Sequence, residues 1–144
     1  MPWTDLSNDQ TIFESVATKL SNLTYLDISH CSGIGVEAIR AIGHHCKNLE
    51  RFDMNSLRFY YNGESWAVRV GIPSEVALAI ASTMPKLKHL EIFSMQLGNE
   101  DLLKILNSCA QLQYLDISEC SFLKDIEILL KNFSALKYYA LKFI

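Results

Sequence analysis

The chain has 144 residues, enough for one domain that buries about two thirds of its unfolded surface without disulfide or metal staples. Its 49% hydrophobic and 20% charged residues exclude a disordered chain, and 13 Lys and Arg against 16 Asp and Glu, with a net charge of −3 and no basic run, count against a nucleic-acid binder. No apolar stretch is long enough to span a bilayer, and the Met1 to Leu6 start lacks the basic and apolar regions of a secretory signal, so the expected setting is cytoplasmic, nuclear or both.

The first patterned segment, residues 9–22, is a half unit in which Ile12, Phe13, Val16 and Leu20 share one helical face. Leu23-Thr-Tyr-Leu-Asp-Ile-Ser-His-Cys31 follows it. This block returns almost letter for letter as Leu112-Gln-Tyr-Leu-Asp-Ile-Ser-Glu-Cys120, which is the self-similarity of a leucine-rich repeat. Anchoring each unit on its first leucine gives Leu23, Leu49, Leu87, Leu112 and Leu136, with steps of 26, 38, 25 and 24 residues. Three steps fall in the repeat's usual range of about 20 to 29, and the long one implies an insertion, placed at residues 58–73.

Each anchor is expected to open a strand: Leu23 to Ile28, Leu49 to Met54, Leu87 to Ile92, Leu112 to Ile117 and Leu136 to Leu141. Positions one, four and six of each strand point inward. Apolar spacing predicts return helices over Val36 to Cys46, Glu75 to Thr83, Asp101 to Cys109 and Lys124 to Phe133. Ser74 and Asn99 stand where N-caps are expected, ahead of acidic first turns, and Pro85 stops the helix before it. The resulting expectation is one domain over residues 1–144, an α/β leucine-rich-repeat solenoid with parallel strands on the concave face and helices on the convex face.

The four cysteines occupy two phases of the repeat. Cys31 and Cys120 fall eight residues after their anchors, and Cys46 and Cys109 three before the next. Met95 fills the first slot in another unit, and Leu20, Met84 and Phe133 fill the second, so all four cysteines are expected to be reduced, buried hydrophobes. His30-Cys31 and His44-His45-Cys46 supply zinc-type donors, but Cys46 belongs to the core side of its helix and the two histidines cannot all turn to one ion. No metal, cofactor or catalytic residue is expected, and no nucleophile elbow or phosphate-cradling glycine loop is present. An enzyme is not expected.

Stacked parallel strands place equal repeat positions about 4.8 Å apart, so columns can be read directly. The fifth position gives Asp27, Asp53, Glu91 and Asp116; the third gives Tyr25, Arg51, His89, Tyr114 and Tyr138. Four aligned carboxylates repel unless cations intervene. Two readings follow, a self-neutralising solvated face or a groove of acid and tyrosine that holds a basic and apolar protein segment. The insertion adds Phe59, Tyr60, Tyr61, Trp66 and Arg69, residue types enriched at binding hot spots, although Phe59 and Trp66 could equally cover the edge of the core.

The two-cysteine unit, Leu23-x-x-Leu-Asp-Ile-Ser-x-Cys31-x-x-Ile34 through Cys46-x-x-Leu49, resembles the cysteine-containing repeat of F-box/leucine-rich-repeat proteins. Glu37-Ala-Ile-Arg-Ala-Ile-Gly-His-His-Cys46 and Ala79-Ile-Ala-Ser-Thr-Met-Pro-Lys-Leu87 further resemble a plant group of that family, and the similarity covers most of residues 11 to 120. The resemblance implies substrate-recognition repeats of a Skp–cullin–F-box ubiquitin-ligase receptor, with a protein substrate as partner. No F-box precedes the repeats in this sequence, so the chain alone is expected not to capture the Skp adaptor. The alternative function is an F-box-free repeat scaffold or competitor.

Overall fold

A computed structural model describes residues 15–16, 19–31, 34–55, 73–93, 95–120 and 122–141. Ile12, Phe13 and the insertion at 58–72 lie outside these residues. Among the described residues, strands and helices alternate in the order β1 (Tyr25–Asp27), α1 (Val36–His45), β2 (Arg51–Asp53), α2 (Pro73–Thr83), β3 (His89–Glu91), α3 (Asn99–Ser108), β4 (Tyr114–Asp116), α4 (Ile126–Leu130) and β5 (Tyr138–Ala140). The strands form one parallel sheet in chain order, β1-β2-β3-β4-β5. This is the expected solenoid.

Only the middle three residues of each expected strand are regular, yet the ladder continues one residue further. Ile28, Met54 and Ile92 donate their N–H groups to Asp53, Glu91 and Asp116 carbonyls on the next strand at 2.8, 2.9 and 2.9 Å. The inward positions follow from the pleat, because successive side chains alternate between faces. Leu49, Leu87 and Leu112 at position one, Phe52, Leu90 and Leu115 at position four, and Ile28, Met54, Ile92 and Ile117 at position six are all buried. At the ends of the described array the same positions are less covered: Leu23, Leu26 and Leu136 are partly buried, and Tyr139 is 40% exposed.

The helices bury one face each against this layer, through Ile39 and Ile42 of α1, Val76 and Ile80 of α2, Leu102 and Ile105 of α3, and Ile126 and Leu130 of α4. Helix α2 packs against both α1 and α3. At the first of these contacts Gly43 is required by space, since a Cβ there would lie 1.8 Å from Thr83 Oγ1.

Several local expectations change. Helix α2 begins at Pro73, whose missing N–H costs nothing at a helix start, so Ser74 lies inside the first turn rather than before it. Helix α3 begins at Asn99, with Gly98 in the capping position and no side-chain cap bond. The Asn99 amide instead ties two units together, donating to the Lys124 carbonyl at 2.7 Å and accepting the Lys124 N–H at 3.0 Å. The last helix spans Ile126–Leu130 rather than Lys124 to Phe133, because Asp125 before it is left-handed (φ 49°) and residues 131–135 form turns.

Cys46, Cys109 and Cys120 are buried and none of the four cysteines forms a disulfide, but Cys31 is exposed, contrary to expectation. The reason lies in what covers the slot. Cys120 donates its thiol to the Ile92 carbonyl of the preceding unit at 3.1 Å, and Cys109 does the same to Met84 at 3.3 Å. Among the described residues no strand precedes β1, so Cys31 has no such neighbour.

Candidate functional site: the concave sheet face

Strand register brings the predicted columns together. Tyr25 pairs with Arg51, Arg51 with His89, His89 with Tyr114 and Tyr114 with Tyr138; beside them run Asp27, Asp53, Glu91, Asp116 and Ala140. Because positions three and five flank the inward position four, both columns stand on the face away from the helices. Phe59, Tyr60, Tyr61, Trp66 and Arg69 fall outside the described residues, so the structure places none of them relative to this face.

At its centre the face neutralises itself. The Arg51 guanidinium reaches Asp53 through Nη2 at 2.8 Å and through Nε at 3.1 and 3.2 Å, and it lies 3.5 Å from Glu91 Oε1. Its central carbon Cζ stands over the Tyr25 ring, 4.6 Å from the centroid. The Tyr25 hydroxyl donates to Asp53 Oδ2 at 3.1 Å. His89 Nε2 sits 2.8 Å from Glu91 Oε1 and 3.8 Å from Asp53 Oδ1, while its ring stacks on Tyr114 at 4.2 Å. Asp53 is buried, and a buried carboxylate persists only when partners such as these replace water.

The electrostatics follow from this arrangement. Hydrogen bonding to Asp53 holds the Arg51 guanidinium above its ordinary value. Burial pushes the Glu91 carboxyl up, but the hydrogen bonds from His89 and Asn55 and the charges of His89 and Arg51 outweigh it and bring the group below the usual carboxylate range. Burial, followed by the charges of Asp116 and Glu91, raises the Tyr114 phenol.

The edges of the acidic column are built differently. Asp27 Oδ1 accepts the Ser29 N–H at 2.8 Å, and Asp116 Oδ1 accepts the Ser118 N–H at 2.9 Å. Each bond closes a turn whose next residue, His30 or Glu119, is left-handed (φ 60° and 56°). Hydrogen bonds from the Ser29 side chain and from its backbone N–H hold the Asp27 carboxyl below its ordinary value.

Sequence reasoning missed Asn55. Its amide donates to Glu91 Oε2 at 2.8 Å, its side-chain oxygen accepts the Phe93 N–H at 2.9 Å, and its own N–H donates to Ser29 Oγ at 3.0 Å. The available signal was its place, directly after the last inward residue of β2 and between two carboxylate-bearing strands.

Asp53, His89 and Glu91 offer ligand atoms all within 4.8 Å of one another, close enough for a metal ion. The Arg51 guanidinium already occupies the space between these carboxylates, and a divalent ion would have to displace it. The histidines considered for zinc are elsewhere: the rings of His44 and His45 stand edge to face at 5.3 Å, and neighbouring Cys46 is buried.

Two leucine-rich-repeat models match the chain, over residues 19–43 and 111–136. The chain is similar to the F-box protein FBW2 of Arabidopsis thaliana, with 42% identity over 120 residues, covering 83% of this chain and 35% of that protein. It is also similar to F-box protein SKIP19 of the same plant, 35% identical over 98 residues (68% of this chain, 28% of the relative), and to a relative designated F-box/LRR-repeat protein 23, 33% identical over 115 residues (78% and 23%). The chain thus spans about a third or less of the length of these relatives. With its repeats, its parallel sheet and these relatives in agreement, the chain is a leucine-rich-repeat array similar to part of plant F-box and F-box/LRR-repeat proteins.

Proposed function

We propose that these repeats form the substrate-recognition part of a Skp–cullin–F-box ubiquitin-ligase receptor, holding a protein substrate on the concave face and against the aromatic insertion, in the cytoplasm, the nucleus or both. The observation that carries the reading is the register of the two concave columns, which collects Tyr25, Arg51, His89, Tyr114 and Tyr138 beside four carboxylates on one sheet face. Such a face suits recognition. It offers aromatic area with fixed polar partners, the combination found at binding hot spots, and no arrangement of nucleophile, base and third group stands on it. Skp binding belongs to an F-box, so the adaptor is a partner of the repeats only where an F-box accompanies them.

The test separates faces. The chain should capture a plant protein that is lost, by about thirtyfold in affinity, in Tyr25→Ser plus Tyr138→Ser or in Tyr61→Ala plus Trp66→Ala. Ile128→Ser, an equally exposed change on the helix side, should leave capture intact. Dependence on Ile128 with indifference to both pairs would overturn the concave assignment. Joined to an F-box, the repeats should shorten the captured protein's lifetime in cells; a bound protein whose lifetime is unchanged would make the repeats a scaffold.

A further inference from the structure

The concave face is neutralised at its centre and left anionic on both flanks, and the difference is set by one repeat position. Strands β2 and β3 each carry a nitrogen-bearing partner two residues before the carboxylate, Arg51 before Asp53 and His89 before Glu91, on the same face. Strands β1 and β4 carry tyrosine there instead, Tyr25 before Asp27 and Tyr114 before Asp116. Among the described residues no ion pair reaches Asp27 or Asp116; Lys88 is committed to Glu50, and Lys137 on the β5 side makes none with Asp116. The backbone N–H of Ser29 or Ser118 donates to Oδ1 of each, and the Ser29 side chain also bonds Asp27, so the partners of these two carboxylates are neutral donors rather than a paired cation.

Beside each flank stands an exposed tyrosine, Tyr25 at 47% on the β1 side and Tyr138 at 67% on β5, the neighbour of β4. The molecule itself shows what a carboxylate and a tyrosine in this setting bind. Arg51 sets its guanidinium carbon over one face of the Tyr25 ring while its nitrogens hold Asp53. A planar, weakly hydrated guanidinium satisfies both groups at once, which an ammonium does less well.

We infer that the flanks of the concave face take two arginines of one extended partner segment, one at Asp27 and Tyr25 and the other at Asp116 and Tyr138, spaced four residues apart. The spacing comes from the sheet. Strands β1 and β4 are three strand intervals apart, about 14 Å, and an extended chain crossing them advances about 3.3 Å per residue, so four residues cover about 13 Å. The inference rests on the proposed recognition role of this face and specifies the chemistry of what it recognises. A single exposed contact of this kind is weak, but two on one segment act together through effective concentration.

The probe is a pair of Ser/Thr peptides of equal length and charge, one with arginines four residues apart and one with them adjacent, titrated into the full 144-residue chain by amide NMR at low salt. The spaced peptide should bind about fivefold tighter or more, with the largest shifts at β1, β4 and β5. Asp27→Asn plus Asp116→Asn should erase that difference while keeping the turns, because asparagine retains the oxygen that accepts the Ser29 and Ser118 N–H groups. Equal binding of the two peptides, or a preference unchanged in the double variant, overturns the inference. So does a concentration-dependent dimer that the same substitutions dissolve, since a second copy would then cover the face. If the peptides fail while the concave variants still lose their captured protein, the inference fails and the recognition role stands.

Discussion

Cysteine reactivity distinguishes what a residue's repeat phase dictates from what its place in the array adds. Burial pushes the Cys109 thiol up to about 12 and the Cys46 thiol upward as well, so neither is a thiolate at neutral pH, and the Sγ of Cys120 is buried against a carbonyl. Cys31 shares its phase with Cys120 but is exposed. Native protein treated with a thiol reagent and read by mass spectrometry should therefore gain one label quickly, at Cys31, and three more only on unfolding. Fast labelling of Cys109 would contradict the burial. The acidic network makes a second prediction. Glu91 has a folded carboxyl below its ordinary value of 4.5, so its contribution is present above that pH and is lost as pH falls through the lower folded value. Asp27 acts in the same direction below 3.8, and Arg51 stays protonated throughout and adds no slope. Urea midpoints should fall as pH drops below 4.5, with a shallower fall in Glu91→Gln. An equal fall in that variant would remove Glu91 from the account.

Among elements, strands were more legible than helices for a physical reason. The Leu-x-x-Leu-x-Ile pattern ties register to burial, and a one-residue slip would bury Arg51 and expose Phe52, so sequence alone fixes which residues align. The two concave columns were readable on the same ground. Helix ends are set by weaker interactions. Asn99 suits a cap by residue type, but its amide gains two bonds to Lys124 from the neighbouring unit, a partner 25 residues away that local pattern cannot show. The shortening of the last helix hides because Ile126 and Leu130 have the spacing of a longer one. Asn55 was missed because its hydrogen bonds cross between strands. The contact of α1 with α2 carries a prediction in which two effects oppose. Gly43→Ala should favour the helix by about 1 kcal/mol from propensity. The added Cβ, however, would meet Thr83 Oγ1 at 1.8 Å and Thr83 Cβ at 2.5 Å, and forcing such helices apart costs about 1–3 kcal/mol. The steric cost wins, and the denaturation midpoint should fall; Thr83→Ala should not restore it, since the Cβ remains. A rise in the midpoint would show that the two helices separate freely.

For the whole array, stability should be graded rather than uniform, because each unit buries its core only against its neighbours. The middle strands have two. Phe52, Leu90 and Leu115 are 0% exposed, whereas their counterparts are partly buried at Leu26 and 40% exposed at Tyr139. Leu90→Ala should accordingly cost about 2–5 kcal/mol, the usual range for emptying a sealed core site, and Leu26→Ala clearly less because water already reaches its surroundings. The same asymmetry reaches the concave face. Arg51, Asp53, His89 and Glu91 stand on two of the three strands flanked on both sides, while Tyr25 and Tyr138 stand on the outer two. Hydrogen exchange should therefore find the amides of Met54 and Ile92, bonded into the middle of the sheet at 2.9 Å, more protected than that of Ile117, bonded to β5 at 3.2 Å. A partner segment lying across all five strands should slow exchange most at the outer strands, where there is most opening to suppress. Uniform protection in the free chain would mean the array opens as one unit and would remove the gradient on which this expectation rests.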